Sequence, residues 1–184
     1  GSMNFIGTSI KDLYLIKPKL WKEERGYFYE SYNQELFAKA GITADFVQDN
    51  QSLSHKGTLR GLHAQKEPFA QGKLVRVIQG KVLDIAVDIR KHSPTFGQHV
   101  RVELSADNHH LFWIPPGFLH GFVTLVDNTI FTYKVTNFYD KDSEIGVAWN
   151  DPDLKIDWAI PSSEVLLSEK DRLLPQLKDI HSPF

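Results

Sequence analysis

Five side chains of this sequence have the chemistry to move a proton or hold a charge: His63, His120, Lys73, Tyr133 and Asp171. An imidazole titrates at about pH 6.5, and so can take and return a proton at neutral pH. His63 closes the run Leu59-Arg60-Gly61-Leu62-His63, and His120 follows the loop Pro115-Pro116-Gly117. Each reads equally as a hydrogen-bonded core or rim histidine. Tyr133 shares one face of Thr129 to Thr136 with Phe131 and Val135, so it points inward, where its hydroxyl needs a partner. An ordinary core tyrosine has the same pattern. Lys73 opens a strand, where a solvated edge lysine is the common case. Asp171 falls in Ser168-Glu169-Lys170-Asp171, a capping box in which Ser168 and Asp171 serve the free amides of a helix start.

Other polar clusters surround these five. Gln48-Asp49-Asn50-Gln51-Ser52 puts polar side chains where a buried strand would not want them. In an extended Leu59 to His63, Arg60 lies on one face and His63 on the other. Arg25-Gly26-Tyr27-Phe28-Tyr29-Glu30 mixes rings with two opposite charges, as a strand edge or a platform for a planar ligand would.

Strand signals dominate the elements that must position these groups. Leu83, Ile85, Val87 and Ile89 alternate with Val82, Asp84, Ala86 and Asp88, a period of two that suits a sheet with unlike faces. Lys73 to Gln79 precedes it across a turn at Gln79-Gly80. Val100 to Leu104, Leu111 to Ile114, His120 to Val126 and Thr129 to Thr136 follow, the last two forming a hairpin around Asp127-Asn128. Pro115-Pro116-Gly117 is a loop, because neither proline can donate to a ladder. Helical signals are confined to Asn33 to Ala40, with Asn33 as N-cap and Gly41 just past the end, and to a turn that begins at Ser168 and stops before Pro175. Short, evenly spaced strands with helices only near the ends predict an antiparallel barrel or jelly roll.

The bulk numbers narrow the function classes. A chain of 184 residues favours one domain, taken as 1–184, with Gly1-Ser2 ahead of Met3 reading as a cloning remnant. Cysteine is absent, which removes disulfides, thiolate nucleophiles and cysteine-ligated metals and is compatible with a cytoplasmic location. A net charge of -2 argues against a nucleic-acid partner, though a local basic cluster for a small phosphate ligand remains open. There is no apolar stretch long enough for a membrane span and no pattern of a signal peptide. Composition and spacing support a small β-barrel with a polar interior and do not choose a reaction.

Nine segments, in order, carry a resemblance: Arg25-Gly26-Tyr27-Phe28-Tyr29-Glu30, Phe46-Val47-Gln48-Asp49-Asn50, Leu59 to His63, Gln71-Gly72-Lys73-Leu74-Val75-Arg76, Ser93-Pro94-Thr95-Phe96-Gly97, Trp113-Ile114-Pro115-Pro116-Gly117-Phe118, His120-Gly121-Phe122, Trp149-Asn150-Asp151-Pro152 and Leu167 to Asp171. Together they resemble the dTDP-4-dehydrorhamnose 3,5-epimerase family, from about Ile16 to about Pro175. The resemblance implies a mainly β, cupin-like antiparallel jelly roll with short helices near the N- and C-terminal parts. It implies an isomerase of bacterial L-rhamnose biosynthesis, with no cofactor and no metal. His63 would be the base, Asp171 its orienting carboxylate, Tyr133 the acid across the sugar and Lys73 the group near the ketone oxygen, with His120 close by. Gln48, Asp49, Asn50, Arg60 and Lys170 match positions around the substrate and its phosphates, Tyr139 one that stacks on thymine, and Glu144 another contact. Arg25 and Glu30 match positions supplied by the partner subunit of a homodimer. Gln51 and Ala64 depart from the family pattern, and either could reshape the pocket and alter the preferred sugar.

That chemistry suits these residue types. Inverting a carbon beside a ketone requires a base on one face, an acid on the other and a cation at the oxygen where charge develops. Three rivals stand beside it. A metal-dependent cupin needs converging histidines, and His63-Ala64-Gln65 lacks a second one, while His109-His110 falls in a turn. A binding module for sugar nucleotides needs no acid–base set. An epimerase of one carbon only would carry the same residues.

Overall fold

The alternating pattern resolves into thirteen strands among residues 2–184, which a computed structural model describes; Gly1, the first residue of the expected cloning remnant, lies outside the described residues. β1 (Met3–Gly7) and β2 (Tyr14–Pro18) form a first hairpin, and β3 (Trp21–Glu23) and β4 (Gly26–Phe28) a second. After α1 (Gln34–Lys39) come β5 (Gln48–Ser54), β6 (Leu59–Gln65), β7 (Lys73–Gln79), β8 (Lys81–Asp88) and β9 (His99–Ser105). β10 (Leu111–Ile114), β11 (Phe118–Thr124), β12 (Thr129–Val135) and β13 (Glu144–Gly146) complete the strands, before α2 (Glu169–Arg172). Asn33 caps α1 by accepting from the Leu36 amide at 3.1 Å, and Gly41 follows the helix at φ 88°, as the sequence predicts.

The strands form two antiparallel sheets, ordered β1-β2-β10-β7-β12-β5 and β13-β6-β11-β8-β9. Their inner faces meet in one core: Val75, Val77, Phe112 and Phe131 come from the first sheet, and Val82, Ala86, Leu104 and Phe122 from the second. This is the expected mainly β, cupin-like jelly roll. The outer faces are covered as well. Phe37 and Ile42 pack on Leu74, Leu111 and Trp113 behind the six-stranded sheet, while Leu154 and Trp158 pack on Leu83, Ile85 and Val87 behind the other. β8 therefore has no solvent face: the C-terminal segment covers its all-apolar side, and the mixed side of Val82, Asp84 and Ala86 faces the other sheet. Its two carboxylates are both fully buried, and Asp88 is held by Arg90, Ser93 and Thr95. β7 lies between β10 and β12, so Lys73 is not an edge lysine.

One irregularity decides where the polar groups of β6 point. His120 pairs with His63, but Phe122 pairs with Arg60, so β6 spends three steps where β11 spends two. The extra residue inverts the phase of the strand. Arg60 and His63, expected on opposite faces, both line the interior, while Leu59, Leu62 and Ala64 join the outer core. Gly61 sits in the bulge at φ 128°, and a Cβ there would come within 2.7 Å of Gly121 Cα and of the His120 carbonyl oxygen. Only glycine combines that backbone with that approach. Gly61→Ala is expected to destabilise the fold by about 2–4 kcal/mol, through an unfavourable φ plus backbone overlap. Urea denaturation would measure it, and parental stability would mean that β6 and β11 can separate freely.

Candidate active site

The bulge and the sheet pairing build a cavity of about 500 Å3 between the two sheets, lined by His63, Lys73, His120, Tyr133, Asp171, Arg60 and Asn50, among others. His63 and His120 stand side by side on β6 and β11 in the five-stranded sheet. Tyr133 on β12, Lys73 on β7 and Asn50 on β5 come from the six-stranded one. The imidazole and the phenol thus reach one space from opposite walls.

Asp171 is both a helix-start residue and a site residue. Ser168 Oγ accepts from its amide at 3.1 Å, one half of the predicted capping box. Its carboxylate does not return to the helix start. Oδ2 accepts from the Gly61 amide at 3.1 Å, and Oδ1 lies 2.6 Å from His63 Nε2. Burial pushes this carboxyl up, but the hydrogen bond and charge of His63, the Gly61 amide and Lys170 outweigh it and hold it below the ordinary carboxylate value. An ionised carboxylate only accepts, so His63 donates Nε2–H and keeps Nδ1 as its basic atom.

A second histidine–carboxylate pair lies deeper. His120 Nε2 is 2.9 and 3.0 Å from the two oxygens of Asp84, whose side chain is wholly buried. Burial pushes Asp84 up and His120 down, each against the pull of the other. Asp84 was not among the residues singled out from sequence. The signal was present: a carboxylate within the apolar run Val82 to Ile89 must find a partner. Lys73 supplies charge to the same neighbourhood. Burial brings its amine down to about 8, against the pull of Asp84 and Glu144. Burial also raises the Tyr133 phenol, in spite of Asn50 and Arg60, which keeps it protonated at neutral pH.

The remaining predicted residues divide by location. Arg60 donates to Ser54 Oγ at 3.2 Å within the cavity wall, and Gln48 bridges Asn50, at 2.9 Å, to the Tyr139 amide, at 3.3 Å. Glu144 and Lys170 form an ion pair beside the cavity, where the hydrogen bond that the lysine donates to Glu144 raises its pKa. Tyr139 is half exposed near Lys170. Asp49 is corrected: one residue out of phase with Gln48 and Asn50, its side chain leaves the cavity and pairs with Lys134 at 3.1 Å. Arg25 is 88% exposed and bonded to Glu23, and Glu30 accepts from Asn33 at 2.7 Å, so neither reaches this chain's own cavity. Of the two departures, Gln51 borders the cavity, whereas Ala64 is packed in the outer core. Among the described residues no three histidine or acidic side chains converge as metal ligands, and no helix is long and apolar enough to cross a membrane.

Known proteins share this sequence and geometry. The family model for dTDP-4-dehydrorhamnose 3,5-epimerase matches residues 7–179. The chain is 54% identical to the dTDP-4-dehydrorhamnose 3,5-epimerase of Shigella flexneri over 92% of its own length and 93% of the relative's. It is similar to the crystal structure of that enzyme from Elizabethkingia anophelis NUHP1 at 50% identity and a TM-score of 0.93, covering 96% and 97% of the two chains. It is also similar to a Legionella pneumophila dTDP-6-deoxy-D-glucose-3,5-epimerase solved in complex with dTDP-4-keto-L-rhamnose, at 49% identity and a TM-score of 0.93, covering 98% and 95%. By the match of its sequence and of its fold, the chain belongs to the dTDP-4-dehydrorhamnose 3,5-epimerase family.

Proposed function

We propose that this isomerase converts dTDP-4-dehydro-6-deoxy-D-glucose to dTDP-4-dehydro-L-rhamnose by proton removal and return at carbons 3 and 5. The observation that carries this reading is the placement of the Asp171-oriented His63 and of Tyr133 on opposite walls of one cavity. His63 Nδ1 takes the proton from a carbon next to the C4 ketone. The electron pair moves onto the ketone oxygen, and the Lys73 ammonium, aided by His120, stabilises the enolate. Such a donor is worth about 3 kcal/mol where charge develops in a dry site. Tyr133 delivers its proton to the same carbon from the other face, and solvent resets both groups. The sum is an inversion with no change of oxidation state.

The long substrate needs more than this centre. Arg60 and Lys170 suit the diphosphate and Tyr139 the thymine ring. Binding energy from those distant parts can then align the sugar. Arg25 in the turn of the β3–β4 hairpin and Glu30 just beyond that hairpin serve the partner's cavity in a homodimer, which accounts for their distance from their own.

Proton exchange tests this directly. Product formed in heavy water should carry deuterium at both carbons by NMR; exchange at one carbon alone would reduce the activity to a mono-epimerase, and none would refute it. His63→Ala should lose exchange at both carbons, and Tyr133→Phe should keep exchange from the base side while product formation slows. Asp171→Asn should lower kcat by about 10^2- to 10^4-fold with the fold intact, as loss of the orienting carboxylate does in related dyads. The amine of Lys73 is protonated below about 8 and neutral above it, so kcat/KM should fall on the alkaline side of that value. In Lys73→Arg, whose guanidinium keeps its proton to about pH 12, that limb should disappear from the accessible range. An unchanged alkaline limb would remove Lys73 from the enolate site.

A further inference from the structure

The hairpin of β3 and β4 stands apart from both sheets. Its strands pair only with each other, and every residue from Trp21 to Phe28 is exposed. Two isolated strands are marginal in water, so the body must hold them from outside the ladder. The contact is aromatic. The His109 ring lies 4.9 Å from that of Tyr27 and 5.1 Å from that of Tyr29, tilted about 60° to each, and the two tyrosines stack on one another at 5.9 Å. Arg76 Nη1 adds a donor to the Tyr29 hydroxyl at 3.3 Å.

His109 is well placed to act as a fixed stop. It occupies the turn between β9 and β10 at φ 56°, with its amide on the Ser105 carbonyl at 3.2 Å. Next to it, Asn108 Oδ1 accepts from the Ser105 and His110 amides, and its Nδ2 donates to the Glu103 carbonyl. Arg25, by contrast, is bonded only within the hairpin, to Glu23, so its position in space follows the hairpin's angle.

We propose that His109 is a positioning residue, its ring setting the angle at which the hairpin presents Arg25 to the sugar nucleotide. This rests on the reading that the hairpin serves the partner's cavity. His109 touches no reacting group, so it governs binding and leaves proton transfer alone.

His109→Asn separates the roles, since asparagine accepts a positive φ and lacks the ring. In the purified full-length enzyme, KM for the dTDP-4-keto sugar should rise about 3- to 10-fold, the size of one aromatic pair contact, with kcat within about twofold and the melting temperature unchanged. His109→Phe, which restores a ring, should bring KM back towards the parent. In an Arg25→Ala background, His109→Asn should add little, because both act through one contact. An unchanged KM in His109→Asn, beside a raised KM in Arg25→Ala, overturns the inference. Kinetically independent losses, or a parallel fall in kcat and melting temperature, overturn it too. An unchanged KM in Arg25→Ala would instead remove the hairpin's role in the site, and wild-type enzyme inert on the keto sugar would remove the proposed reaction.

Discussion

The Asp171 carboxylate carries charge into a place that water barely reaches, at 4% residue exposure, and everything at the site is arranged around satisfying it. A buried anion with one partner removed is costly, so its contacts are mutually obligatory. It needs an amide, which the bulge at Gly61 turns towards it, and a ring proton, which His63 supplies. The same bulge that offers the amide also rotates His63 inward. One extra residue in one strand thus couples the tautomer of the base, its direction and the docking of the last helix.

The deeper pair follows the same rule with a different outcome. Asp84 and His120 satisfy each other, and Lys73 and Glu144 lie close enough to perturb and be perturbed. With so little water to solvate it, the ammonium loses some of its hold on its proton, although the two acidic side chains beside it pull the other way. An interior built this way is poised for developing negative charge on a bound ligand, because cation and donor are already oriented and need no solvent to reorganise.

Much of this was legible from residues alone, and the failures share a cause. β7 and β10 end where the alternation ends, bounded by the turn at Gly80 and by Pro115. β11 begins two residues earlier than the pattern suggested, since Phe118 and Leu119 continue the ladder with β8 directly after the loop. Arg60 and His63 read as opposite-facing in a regular strand, because a bulge is a property of two strands and only one can be seen in a local window. Asp49 differs for another reason: the resemblance puts it near the substrate, while plain alternation from Asn50 sends it outward to Lys134. The burden on Asp84 was visible as an anomaly, but its partner, 36 residues away, was not.

The orienting carboxylate arrives 108 residues after the histidine it serves and after the last strand, β13. During synthesis, every strand of both sheets leaves the ribosome before Asp171 does. A nascent chain at that stage holds the imidazole without the anion that sets its tautomer, and the outer face of the five-stranded sheet still lacks its C-terminal cover. Competence for proton transfer and completion of the hydrophobic jacket are thereby made to coincide around α2, and any change that unseats that segment acts on both together.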